Sequence, residues 1–352
     1  MTVPLKEISP IVAFVASFAV SKDVSSPYAF LWFSNGKVRA SSGTSGAVWQ
    51  TPGVDGEFAI RADGFAALIA SLATERSEAE FTVTDTRLVV KAGAFRAQFP
   101  TWPADVESPR EWLERDTPVD GVDIDESYWS AVSLVRPVAS VDQGKPNICG
   151  VYWGGDGTLA ATDNLRASFY NTRRAPTEGV LIPSSFLAAI GSSPAFTKAF
   201  VNDRELWYST AAGAVYSSLY EAKFPKKQLL EVVAASRTAT AAVTVAVKGQ
   251  VSSVLDRLLF FASKPPYKVE VEANVDSVRL WVPEEDGGGK SAEEVLDRLP
   301  VDASPCAFSV DGKNLREAFA VSTSFRYSSG RSLYFASADG KFEHVLSTLV
   351  GA

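Results

Sequence analysis

The 352-residue chain is long enough for two or three ordinary domains. With 46% hydrophobic and 21% charged residues it can bury a sizeable core, and no apolar run reaches the roughly 18 residues needed to span a bilayer. A net charge of −7 excludes a uniformly basic nucleic-acid binder, though not an acidic body with one basic face.

The apolar stretch at the N-terminus suggests a signal peptide, but Lys6 is followed at once by Glu7 and Pro10 interrupts the run. An amphipathic helix over Leu5–Ala19 fits better. Phe58–Ile69 reads as a short strand, an oxygen-bearing cap at Asp63 and an apolar helical face. Phe81–Val90 is β-rich, and Glu107–Asp120, charged and with two prolines, reads as a connector. The same plan then returns. A helix over Asp125–Ala139 is followed by Gly179–Ile190, again strand, cap (Ser184 or Ser185) and helix, and then by the β-rich Leu206–Tyr220. Glu231–Ala242, small and polar with no period, reads as a second connector. The last third opens on a helix over Lys248–Ala262, with Val251, Val254, Leu255, Leu258 and Leu259 at helical spacing. Val269–Val282 follows as strands around an Asp-Ser turn, then Cys306–Phe319 as strand, Asp311 cap and helix. One unit therefore recurs every 115–125 residues or so, the size of an ordinary domain. The expected fold is α+β: three tandem similar domains at 1–117, 118–236 and 237–352, each with two helices packed on antiparallel sheet.

Chemistry-bearing residues are sparse. Cys149 and Cys306 lie far apart and His344 has no partner motif, so the sequence offers no metal site, no cofactor and no histidine-based nucleophilic catalysis. A reducing, cytoplasmic setting is expected from the cysteine usage. The acids Asp123, Asp125 and Glu126, and Glu284, Glu285 and Asp286, could serve a carboxylate-dependent hydrolase, but adjacent acids read more simply as solvated turns. Asp286–Ser291 (DGGGKS) suggests a phosphate loop, yet Glu284 stands where that loop needs glycine, so a hairpin tip is expected. The chain does not read as an enzyme.

The middle third carries a resemblance. Val135–Val151 (VRPVASVDQGKPNICGV) and Leu159–Ala167 (LAATDNLRA) resemble domain two of the bacterial DNA polymerase III β subunits, the β sliding clamps, where a strand ends in ATDGHRL. Phe224-Pro225 is similar to that family's FP at the close of the domain, and Thr101–Asp105 (TWPAD) to its counterpart in domain one. There are departures: Asn164-Leu165 replaces the family's Gly-His, Ala167 its leucine, and Ser347–Val350 its Met-Pro-Met-Arg. A divergent clamp, of a bacterial cell or a phage-infected host, is implied.

The resemblance implies two chains joined head to tail as a ring-forming dimer around duplex DNA, held without sequence preference, with DNA polymerase and clamp loader as partners and no membrane. It implies an inner, DNA-facing surface, for which Lys6, Lys22, Arg136, Lys145, Lys198, Lys248, Arg257 and Lys313 are candidates. It implies a partner-peptide pocket between domains two and three, at Ile148, Thr162, Asn164, Leu165, Arg166, Ala167, Pro225, Leu229, Leu230, Val345, Ser347 and Leu349. Ile148, Leu229, Leu230, Val345 and Leu349 are expected as its floor and Thr162 and Arg166 as its rim. Phe260 and Phe261 match the family's dimer interface. The competing reading is a three-domain β-rich scaffold that holds no DNA.

Overall fold

The computed structural model describes residues 1–19, 26–102, 117–118, 120–191, 196–238, 242–247, 251–284, 289–299, 305–328 and 332–349. Its contacts divide the chain into two compact units, Met1–Trp129 with Ser185–Glu221 and Ser130–Ser184 with Ala222–Ala352.

The repeat seen in the sequence governs the structure. Among the described residues there are 24 strands, eight in each of the segments 1–102, 120–218 and 242–349. Each repeat runs strand, helix, four strands, helix, three strands. The opening helices are Leu5–Ala16, Glu126–Val135 and Val251–Leu259, and the second helices are Ala62–Glu75, Ser184–Ala189 and Gly312–Phe319. The opening helices stop short of the expected ends at Ala19, Ala139 and Ala262, the middle one by tightening into a 3₁₀ turn at Arg136–Val138. Residues 248–250, where the third was expected to begin, lie outside the described residues. Asp311 caps as expected, accepting the amides of Lys313 and Asn314 at 2.9 and 3.2 Å. Asp63 lies inside its helix instead, which starts at Ala62, and it holds Arg61 at 2.7 Å.

Helical and strand periods meet in the core. In the third repeat Val251, Val254, Leu255 and Leu258 pack with Leu315, Ala318 and Phe319 from the second helix. The strands Lys268–Ala273 and Ser277–Pro283 contribute alternate residues, Val269, Val271 and Ala273, then Val278, Leu280 and Val282. At about 1.5–3 kcal/mol for each fully buried aliphatic side chain, this face rather than helix propensity fixes the helices.

Pairing follows one rule. In each repeat the second strand pairs with the fifth, and the first with the sixth, always antiparallel. The fourth strand of one repeat then pairs with the eighth strand of the next: Ser45–Gln50 with Gly213–Ser218, and Arg166–Asn171 with Phe342–Ser347. Two seams are thus made by strand pairing, one inside each compact unit.

The connector expected at Glu231–Ala242 is corrected by the structure: Lys226–Thr238 is a 13-residue helix. Its buried stripe is narrow, with Leu229 half-buried and Val233 and Ser236 buried. A serine in the third position of the stripe hides the period from a hydrophobicity reading. No described helix is long and apolar enough to cross a membrane.

Candidate functional site

The second seam begins at a tight turn. Thr162 Oγ1 donates to the carbonyl of Arg166 at 2.7 Å and accepts the amide of Asn164 at 3.1 Å. Asp163 Oδ1 accepts the amides of Leu165 and Arg166 at 2.9 and 3.0 Å. Asn164 has φ 75°, in the left-handed region where asparagine is among the better-tolerated residues. With the turn so fixed, Leu165 projects outward with 56% exposure, while its carbonyl accepts the Ser347 amide at 2.8 Å. Arg166 is held from three sides. Its Nε meets Asp163 Oδ2 at 2.9 Å, one terminal nitrogen meets the Glu317 carboxylate, and the other donates to the Pro137 carbonyl at 2.9 Å.

Cross-strand register sets Thr162 opposite Ala167, Ala167 opposite Val345, and Val345 opposite Tyr334, so these four side chains form one row on one face. The helix Lys226–Thr238 crosses that face. Lys226 Nζ bonds Asp156 at 2.7 Å, the Ser236 and Ser332 hydroxyls are 3.1 Å apart, and Arg237 bonds Glu343 at 2.5 Å. Pro225 precedes the helix, and Phe224 before it stacks on Tyr152 at 5.1 Å. Thr162, Ala167, Val345 and Tyr334 are themselves buried, so a groove along this row would be bounded by this helix on one side and the exposed Leu165 turn at the end.

The expected pocket residues divide by burial. Leu165, Leu230 and Asn164 are exposed, and Pro225, Leu229, Ser347 and Leu349 are half-buried. Ile148, Thr162, Ala167 and Val345 are buried. Ile148 sits in a 3₁₀ turn whose carbonyl accepts the Ser140 amide, as part of the packing rather than the groove surface. Thr162, expected with Arg166 as a polar group at the rim, spends its hydrogen bonds on the turn itself, while Arg166, only 10% exposed, spends its own on Asp163, Glu317 and the Pro137 carbonyl. Sequence reasoning missed Asp163 and Glu317 as the partners of Arg166. It also read His344 as alone. His344 Nδ1 lies 2.7 Å from Ser168 Oγ in the buried seam, with its ring against Phe342 and Phe335. Burial, with the charge of Arg166, pushes its pKa down to about 3. It is a neutral structural residue.

The first seam repeats the main bonds of this turn. Ser41 Oγ donates to the Ser45 carbonyl at 3.2 Å and accepts the Gly43 amide at 3.0 Å. Ser42 Oγ accepts the Ser45 amide at 3.1 Å, Gly43 has φ 91°, and the Thr44 carbonyl accepts the Ser218 amide at 2.7 Å. Its row is filled differently. Tyr216 lies opposite Gly46, a Cβ on Gly46 would stand 2.6 Å from the Tyr216 ring, and the Tyr216 hydroxyl donates to Ser41 Oγ at 2.8 Å. A tyrosine thus plugs the first seam at the position that Val345 occupies in the second.

Three of the candidate DNA-facing cations are engaged by neighbouring side chains. Lys22 and Lys248 lie outside the described residues. Lys6 is exposed on the first helix, and Arg136 is half-buried in its 3₁₀ turn. Lys145 pairs with Asp142 at 3.2 Å, and Lys198 starts a strand rather than lying on a helix. Arg257 is tied to Glu294 at 2.7 Å, and Lys313 stands 3.4 Å over the Tyr267 ring. Phe260 and Phe261, just past the helix Val251–Leu259, are 87% and 56% exposed.

The rival motifs take structural roles. Asp125 caps the helix Glu126–Val135, accepting the amides of Ser127 and Tyr128 at 3.0 and 3.2 Å. The glycine-rich segment joins the paired antiparallel strands Ser277–Pro283 and Lys290–Leu299, so no helix follows it as a phosphate loop requires; residues 285–288 lie outside the described residues.

No protein-family model matches the sequence, and no curated protein does. Solved structures do match it over their whole length. The DNA polymerase III β subunit of Borrelia burgdorferi, solved with a natural product, has a TM-score of 0.83 at 12% identity, covering 100% of this chain and 99% of that one. The β subunit of Thermotoga maritima gives 0.78 at 18% identity, with 100% and 99% covered. The Helicobacter pylori β clamp, bound to a DNA ligase peptide, gives 0.79 at 15% identity, with both chains covered completely. At these identities the likeness is one of architecture, and it spans all three repeats: the chain has the fold of the bacterial DNA polymerase III β subunits, the sliding clamps.

Proposed function

We propose that this chain is a DNA sliding clamp: two copies join head to tail into a ring around duplex DNA, and the groove at the second seam takes peptides of DNA polymerase and clamp loader. The observation that carries the reading is the pairing rule between repeats. Fourth strand pairs with the next eighth strand at both seams, which leaves two edges open. One is the eighth strand of repeat one, Phe95–Pro100, the last strand of its sheet. The other is the fourth strand of repeat three, Lys290–Leu299, whose free side is paired, among the described residues, only at Arg298 and Leu299. Applied once more, the rule joins Lys290–Leu299 of one copy to Phe95–Pro100 of another. That contact is heterologous, and a ring is its closed form. Exposed apolar residues mark both edges, Val295 and Leu299 on one and Phe95 on the other, and the exposed Phe260 and Phe261 follow the helix whose Arg257 bonds Glu294 on the former. Long unpaired edges with apolar side chains are otherwise a liability in a soluble protein.

The three domains are 1–117, 118–236 and 237–352, and their helices line the hole. DNA is retained by topology, so phosphate contacts are few and independent of sequence, which suits an acidic chain. The groove accepts an extended peptide with apolar side chains, as the Helicobacter pylori clamp accepts its ligase peptide. The tied cations Arg257 and Lys313 favour one alternative, a ring-shaped scaffold without DNA. Two measurements decide. Sedimentation at micromolar concentration is expected to give twice the 37.7 kDa chain mass, reduced to monomer by Phe260→Ser with Phe261→Ser. Chains loaded on circular DNA are expected to stay bound and to slide off when it is cut. A strict monomer in the unaltered protein defeats the ring, and equal retention on circular and linear DNA defeats the clamp.

A further inference from the structure

We propose that Glu317 is a positioning residue for the groove: from the helix Gly312–Phe319 it anchors Arg166, and through Arg166 it fixes the turn that presents Leu165. The proposal rests on the groove reading above for its functional consequence, though not for its structural one.

Arg166 carries five N–H donors on a guanidinium that cannot lose its charge, and the side chain is 10% exposed. A cation so nearly buried is tolerated only when its charge is compensated and its donors are satisfied. Three groups do this, and they are not equivalent. Asp163 sits in the same turn, so its carboxylate moves with Arg166 and holds it only to its own loop. The Pro137 carbonyl is neutral. Glu317 is the carboxylate that comes from another repeat, on a helix secured by Leu315, Ala318 and Phe319 in the core of repeat three. It therefore ties the turn to a rigid element rather than to itself. The first seam supplies the contrast. There the residue equivalent to Arg166 is Ser45, too short to reach a helix, and the residue equivalent to Leu165 is the polar Thr44. The tie to a helix goes with the seam whose turn carries an exposed leucine. The 163–165 turn has little else to hold its outer side, since its tip is solvent-exposed and its other bonds are local or to the Ser347 amide.

The test uses the full chain. Glu317→Gln keeps the size of the side chain and removes its charge, while Glu317→Asp keeps the charge on a shorter arm. Hydrogen exchange needs no ligand. In Glu317→Gln the amides of Leu165, Arg166 and Ser347 are expected to exchange about fivefold faster, the effect of weakening one charge-assisted bond, with the strand Gly150–Trp153 unchanged. Unchanged exchange at the turn overturns the proposal. Binding of a labelled DNA ligase peptide, of the kind held by the Helicobacter pylori clamp, is the second readout. Its Kd is expected to rise about fivefold in Glu317→Gln and less in Glu317→Asp, with oligomeric mass unaltered and the thermal midpoint lowered by no more than about 4 °C. Equal Kd in wild type and Glu317→Gln also overturns it. If the unaltered protein binds no peptide, the groove reading fails, and the exchange experiment still decides whether Glu317 holds the turn.

Discussion

The two seams of this molecule share a backbone and differ in what fills it. Ser41–Ser45 and Thr162–Arg166 form the same turn, with the same acceptors and the same left-handed third residue. In the first seam the Tyr216 ring lies over Gly46 and closes the row. In the second, Val345 lies opposite Ala167, Leu165 projects, and the helix Lys226–Thr238 crosses the face. The groove proposed for the second seam needs no new architecture. It would result from a shorter side chain at one of two duplicated positions and a larger one at the turn, beside the helix Lys226–Thr238.

The largest effect is expected where the closed seam is tightest. Gly46→Ala puts a methyl group 2.6 Å from the Tyr216 ring and 2.7 Å from the Ala40 carbonyl. Overpacking of this kind is expected to cost about 2–3 kcal/mol in urea unfolding. If the tyrosine is the cause, the same change made in a Tyr216→Val background costs at least about 1 kcal/mol less. Equal costs in the two backgrounds would mean that Tyr216 is not the plug.

The seams differ again one residue further in, where Ser168 and His344 in the second stand at the positions of Ala47 and Val215 in the first. The folded pKa of His344, about 3, lies below its ordinary value near 6.5 because burial and Arg166 disfavour the charged ring. The unfolded chain therefore binds the proton first. The stability that the neutral ring contributes is complete above pH 6.5 and is lost as pH falls from there towards 3, at up to about 1.4 kcal/mol per pH unit. Between pH 6.5 and 5 the loss approaches about 2 kcal/mol. Ser168→Ala with His344→Val copies the first seam and is expected to remove this part of the slope in unfolding measured across that range. A slope left unchanged would assign the acid sensitivity to other groups.

Much of this was legible in the sequence because it repeats. Three strand-to-helix transitions, three opening helices and the turn string Thr162–Arg166 are local patterns, fixed by period and by cap and turn chemistry. The equivalence of Ser41–Ser45 with Thr162–Arg166 went unread, because oxygen-bearing residues in the first two places and Gly or Asn in the third are common to many turns. What sequence reasoning could not reach depends on register. Nothing local places Glu317 beside Arg166, 151 residues away, or Ser168 beside His344, 176 away. Burial of Thr162 and Ile148 likewise follows from neighbours supplied by other strands, so membership of a motif did not reveal which of its residues face a ligand. The helix Lys226–Thr238 was missed for a different reason: Ser236 holds a buried position with a polar side chain, bonded to Ser332.

The comparison is sharpened most directly by exchanging the fillers. Ala167→Gly with Val345→Tyr moves the plug of the first seam into the second. The glycine is required because in the first seam the ring occupies the space a Cβ would take. The hydroxyl of the new tyrosine can meet Thr162 Oγ1, as Tyr216 meets Ser41 Oγ. Since that contact copies one the fold already makes, the change in stability is expected to stay within about 1.5 kcal/mol. Peptide binding at the groove is expected to weaken at least about tenfold, near 1.4 kcal/mol, while oligomeric mass and retention on circular DNA are unaffected. The reciprocal change, Gly46→Ala with Tyr216→Val, opens a row in the first seam but adds no exposed leucine at its turn, and it is expected to create no peptide site. If the first exchange leaves peptide affinity intact, peptides bind elsewhere, and the row Thr162, Ala167 and Val345 is merely packing.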